Sequence, residues 1–198
     1  MHEITEGQLR FSFPDSWLVS KFDTWNFYRA QFMKLAAAEI PCSKCEGQLV
    51  CAACGAKRVA GTKGIDILAI DVGRACWQIE IKDYRLTRVS NYKFLADEIA
   101  LKARDTLAAL VAGRLNANDQ NEKLAAEKAL ACPKIKIVLH LEQPAPHSIQ
   151  QSKQTRRSHV LQRLKQLVKP IDAHPFVMDL DEKKGVAWTV TQIGAPPR

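Results

Sequence analysis

The chain has 198 residues, enough for one domain with a real core, and 46% hydrophobic residues fits a globular protein. Lysine and arginine number 29 against 21 acids, a net charge of +8, which favours a polyanionic partner, nucleic acid first. No apolar run approaches the roughly 20 residues of a membrane span, and MHEITEGQLR lacks a secretory pattern, so a cytoplasmic protein with no membrane partner is expected.

In chain order, QLRFSFPDSWLVSKF reads as two short strands around a Pro-Asp turn. A helical pattern starts at Thr24, an N-cap residue type, and Pro41 marks its end. Cys42, Cys45, Cys51 and Cys54 follow as C-x2-C-x5-C-x2-C. Four thiolates can close a tetrahedral site, so a structural Zn²⁺ is expected, with a cysteine-ligated iron–sulfur cluster as the alternative. A segment this short buries little apolar surface, and a metal would order it. Residues 42–62 are thus read as a small inserted module within a single domain spanning 1–198. Lys57, Arg58 and Lys63 follow the cysteines and could meet a phosphate backbone, whereas Cys76 and Cys132 read as core thiols.

Gly64 to Arg85, GIDILAIDVGRACWQIEIKDYR, reads as two strands turning about Gly73. That register sets Asp66 opposite Glu80, Leu68 opposite Gln78 and Ile70 opposite Cys76. Ile65, Ile67, Ala69, Trp77, Ile79 and Ile81 then share a core face, while Asp66, Glu80 and Lys82 gather on the other. Facing carboxylates repel, and a divalent cation would relieve them. Lys82 would stand ready to serve a metal-associated water.

Further on, Ser90 reads as the cap of a long helix to about Arg114, with Leu95, Ile99, Ala103, Leu107, Leu110 and Val111 as its apolar stripe. A second helix runs to about Ala131, and KIKIVLHLE alternates as a strand. RRSHVLQRLKQLVK is a basic amphipathic helix, on which Arg156 and Arg157 are candidate nucleic-acid contacts. FVMDL and VAWTVTQI read as closing strands, and the scattered histidines read as structural.

GIDILAI followed by WQIEIKDYR resembles the active-site hairpin of the PD-(D/E)xK nuclease superfamily. The resemblance implies an α/β fold: a restriction-endonuclease-like core with a central mixed β-sheet flanked by helices, here carrying a small four-cysteine metal-binding insertion. It implies Mg²⁺ or Mn²⁺ held by Asp66, Glu80 and the Ile81 backbone carbonyl, with Lys82 serving the attacking water. Glu39 or Gln31 would match the accessory residue on the preceding helix, and Lys102 is a further accessory candidate. The family pattern departs in one place, because the cysteine region stands where a strand usually precedes the Asp-bearing one. The expected function is therefore a metal-dependent nuclease acting on nucleic acid, DNA first, as in restriction, repair, recombination or defence. The chain could act as a homodimer or as a subunit of a larger complex. The alternative is a non-cleaving, zinc-containing nucleic-acid-binding or assembly subunit.

Overall fold

The computed structural model describes residues 1–34, 61–85, 92–144, 153–182 and 185–194. Two sheets form. Strands β1 (His2–Glu6) and β2 (Leu9–Phe13) make a hairpin, and β8 (Thr189–Gln192) pairs antiparallel with β2. The main sheet has the order β3 (Leu18–Lys21), β4 (Ile67–Asp71), β5 (Ala75–Asp83), β6 (Ile135–Glu142) and β7 (Phe176–Met178). Its first two pairings are antiparallel and its last two parallel, so the sheet is mixed. Parallel neighbours need crossovers. Helices α2 (Leu95–Asn116) and α3 (Gln120–Leu130) link β5 to β6, and α4 (Lys153–Val168) links β6 to β7.

Helices cover one face of this sheet. Leu68, Ile70 and Cys76 pack there with Phe22, Phe27, Tyr28, Leu110 and Ala126, and further along Ile137, Leu139 and Leu141 meet Ile99, Val160 and Leu164. The three-stranded sheet covers the other face, where Phe11, Phe13, Trp188 and Val190 pack on Ile67, Ala69, Ile79 and Ile81. The molecule is an α/β protein built in three layers, helices on sheet on smaller sheet.

The hairpin register is the one expected about Gly73: Leu68 faces Gln78 and Ile70 faces Cys76. Gly73 adopts φ +78°, the left-handed region that favours glycine at a tight turn. Two details differ from the sequence reading. The charged face is a second core face, because helices lie on it. Ile65 packs on the helix side with Leu68, since the chain bends at Asp66 and strand alternation does not extend back past it.

The helix expected from Thr24 is shorter than its pattern. Helix α1 spans Asn26–Ala30, followed by a 3-10 turn over Phe32–Lys34. The Thr24 hydroxyl donates to the Lys21 carbonyl (2.8 Å), so it does not cap α1. The cap comes from afar. Glu122 of α3 accepts from the amides of Asn26 (2.5 Å) and Phe27 (3.0 Å), placing a carboxylate at the positive end of α1. Substituting Glu122→Ala strands both donors, so urea unfolding should show a loss of about 2 kcal/mol.

Helix α2 starts at Leu95, after a 3-10 turn over Tyr92–Phe94, while Ser90 lies outside the described residues. Leu95, Ile99, Ala103 and Leu110 are buried as expected, but Val111 is exposed, and the buried face also takes in Ala96, Thr106, Ala109 and Gly113. VAWTVTQI supplies the third strand of the smaller sheet. Among the described residues, no helix is long and apolar enough to cross a membrane.

Candidate functional site

Asp66, Glu80 and Lys82 do come together, under the first turns of α2. Asp66 sits at the bend before β4, while Glu80 and Lys82 lie two apart on β5 and point to the helix side. Glu98 and Lys102, one helical turn apart on α2, reach down from above. Lys102 Nζ lies 2.5 Å from Glu80 Oε1 and 3.9 Å from Asp66 Oδ1. Lys82 Nζ lies 3.1 Å from the same Glu80 oxygen and 3.0 Å from Glu98 Oε1. Three carboxylates thus share two ammoniums. The Ile81 amide donates to Asp66 Oδ2 (2.7 Å), so Ile81 enters the cluster through its N–H.

The electrostatics follow from burial. Glu80 is 1% exposed, and that burial, with Asp66 close by, lifts its pKa to about 7 despite the two lysines. Burial also raises Asp66, partly offset by the Ile81 amide. For Lys82, burial works downward, but Glu80 and Glu98 outweigh it and the pKa rises. Burial would raise Glu98, yet its hydrogen bond from Lys82 leaves it lowered, and the charge of Lys63 acts in the same direction.

The like-charge conflict that pointed to a divalent cation is therefore met by ammonium groups. Lys102 stands between the two carboxylates, and no group of three or more His, Cys, Asp or Glu converges for a metal among the described residues. Glu80 Oε2 is buried without a hydrogen-bond partner among the described residues, and with a pKa of about 7 it is the place for a proton. A Mg²⁺ or Mn²⁺ ion at Asp66 and Glu80 would require Lys102 to withdraw, so these residues as placed do not fit the ion and no step is derived through it.

The other candidates divide. Lys102 belongs to the cluster, though on the sequence it looks like a lysine at the rim of an apolar stripe. Gln31 is exposed at the end of α1. Glu39, Cys42, Cys45, Cys51, Cys54, Lys57 and Arg58 lie outside the described residues. Lys63 is exposed beside the site, and its backbone N–H donates to Asp105 (3.0 Å). The Arg157 guanidinium is taken up by Asp179 (3.1 Å) and Glu182, so its charge is already answered within the chain. Arg156 lies over the Tyr92 ring, 5.6 Å from its centroid. Buried His140 contacts Glu142 (2.9 Å) in the core, a structural pairing as expected. Glu98 was missed, although a Glu and a Lys four apart on one helix were there to be read.

Comparison with known proteins adds a different kind of finding. The chain is 35% identical over 156 residues to a cysteine–tRNA ligase of Neisseria meningitidis serogroup A. That match takes in 75% of this chain but only 22% of the relative, so the chain spans about a fifth of that protein's length. No family model matches the sequence, and no solved structure matches it.

The likeness corrects the functional expectation. The relative is named as a cysteine–tRNA ligase and not as a nuclease, and the nuclease, endonuclease and defence readings fall with that finding. Enzyme kinship keeps support only at its coarsest, because the relative is an enzyme by name and a ligase, not a hydrolase. The hairpin explains the error. Asp, Glu and Lys at this register make either a metal-and-water site or a closed ion-pair network, and side-chain identity alone does not separate the two.

Proposed function

We propose that the chain is a tRNA-handling domain that works with the ligase machinery its relative carries, without cleaving nucleic acid. The observation that carries this reading is the 35% identity to a protein named as a cysteine–tRNA ligase. The net charge of +8 supports a nucleic-acid partner. So does exposed Lys63, placed beside the acid–lysine cluster. In this reading Asp66, Glu80, Glu98, Lys82 and Lys102 form a partly buried ion-pair network, centred on buried Glu80, that fixes β5 to α2 beneath the binding surface.

The scaffold in this proposal is a restriction-endonuclease-like core used for binding. Its support is the sheet order, with an antiparallel hairpin followed by two parallel strands and the acidic residues on the hairpin. The expected strand ahead of β4 is also present: β3 pairs with β4 from before the cysteine region. One fold can host unrelated activities, so this likeness of architecture carries no cleavage chemistry with it. Zn²⁺ belongs to the proposal through Cys42, Cys45, Cys51 and Cys54, whose spacing suits four thiolate ligands.

Filter binding of the purified chain to a cysteine-accepting tRNA transcript and to duplex DNA of similar charge tests the proposal. The tRNA should bind more tightly, and affinity should fall about a hundredfold between 50 and 200 mM salt for about four phosphate contacts. Preference for duplex DNA, or cutting of either substrate with Mg²⁺ present, would overturn it.

A further inference from the structure

A groove of about 490 Å³ opens between the start of α2 and α4. Tyr92, Phe94, Asp97, Arg156, His159 and Arg163 line it. Its composition is unusual for a protein surface. Phe94, a large aromatic residue, is 64% exposed at the groove. Tyr92 lies under the Arg156 guanidinium, and its buried hydroxyl has no hydrogen-bond partner among the described residues. Arg156, His159 and Arg163 fall at i, i+3 and i+7 of α4, so one helical face presents all three.

Planar rings beside guanidinium groups recognise one chemistry well: an unstacked nucleobase with phosphates on either side. The base lies on an aromatic face, and the arginines meet the backbone. A volume near 490 Å³ lies within the range of pockets that hold small ligands, so it has room for one nucleotide unit. Asp97 is the opposing charge. It pairs with Arg163 at 2.8 Å, but both side chains are substantially exposed, and such a pair is weak enough to be exchanged for a phosphate.

The groove is also joined to the cluster described above. Asp97 lines the groove, and its neighbour Glu98 holds Lys82. Successive helical residues point about 100° apart, so one turn of α2 serves both places. We propose that this groove seats an unpaired nucleotide of a single-stranded RNA segment, with Phe94 as the stacking platform and Arg163 as the phosphate contact. The choice of RNA rests on the tRNA reading, while the stacking chemistry does not.

Fluorescence anisotropy of the full chain with a labelled single-stranded oligouridylate of about eight nucleotides tests this, with a blunt RNA duplex as competitor. Phe94→Ala and Arg163→Ala should each weaken single-strand binding about tenfold, Phe94→Trp should keep it, and duplex binding should be unmoved. Both positions are exposed, and matching thermal melts would establish that the variants fold. Unchanged single-strand binding in Phe94→Ala overturns the groove assignment. The two proposals can fail separately. Loss with Phe94→Ala, in a chain that does not prefer tRNA over duplex DNA, leaves the groove standing and removes the tRNA reading. Preference for tRNA with oligonucleotide binding untouched by Phe94→Ala does the reverse.

Discussion

Replacing Lys102 with methionine should destabilise the protein by about 3 kcal/mol at pH 8 and by far less at pH 5. The reason is the protonation of Glu80. Its ordinary pKa of 4.5 is lifted to about 7 in the folded chain, first by burial and then by Asp66. A raised carboxyl pKa means that the folded state holds the proton more tightly than the unfolded state does. The resulting stability is fully present below about pH 4.5 and is lost as pH rises through about 7, a change on the order of 3 kcal/mol. At pH 8 wild-type Glu80 is ionised and leans on Lys102 at 2.5 Å and Lys82 at 3.1 Å. The methionine variant leaves that buried charge with one lysine fewer. At pH 5 Glu80 is protonated in both proteins, and the difference shrinks to packing and the longer pairing of Lys102 with Asp66 (3.9 Å).

Urea unfolding at the two pH values measures this directly. Glu80→Gln should flatten the pH dependence between about 5 and 8, and Lys102→Met should cost less in that background than in wild type. An equal loss from Lys102→Met at both pH values would show that Lys102 acts through its hydrocarbon stem alone, against the charge-balance account.

The second large effect is expected at Gly64. This residue is buried, and a Cβ built there would stand 2.9 Å from ring atoms of both Phe22 and Tyr28. Its N–H also donates to the Tyr28 hydroxyl. Alanine must push two core rings or move the strand entry, and overpacking of this kind costs about 1–3 kcal/mol. The displacement would propagate two residues on to Asp66, whose carbonyl accepts from Phe22 (2.9 Å) and whose carboxylate accepts from Ile81. Gly64→Ala should therefore lower the urea midpoint, and Phe22→Leu in the same chain should restore part of the loss by making room. A neutral Gly64→Ala would mean that the rings yield freely, and Gly64 would then have no positioning role.

Much of the fold was legible because alternation and turn chemistry are local. The register about Gly73 followed from counting outward from one turn, and KIKIVLHLE forms β6 almost as it reads. The misses share one cause: the deciding partner lies far away in the chain. TWNFYRAQF has helical spacing, yet α1 is short and is capped by Glu122, 96 positions beyond Asn26. HEITE is polar and acidic, with little strand signal of its own, and becomes a strand because Leu9–Phe13 folds back on it. At the candidate site, the convergence of Asp66, Glu80 and Lys82 was readable from strand periodicity. What fills the space between them was not, because Lys102 arrives from a helix whose position over the sheet is set by packing.

The pairing of β2 with β8 carries a consequence for the order of assembly. Leu9 to Ser12 bond with Thr189 to Gln192, so this ladder closes across nearly the whole described chain. Contacts so distant in sequence are slow to form, because the intervening segment must first give up its freedom. The helix-covered side of the main sheet, with its local hairpin and helical crossovers, closes over smaller sequence separations and can condense earlier. The layer bearing Phe11, Phe13, Trp188 and Val190 then closes over Ile67 and Ile79 as a late step, sealing the underside of the strands that carry Asp66 and Glu80.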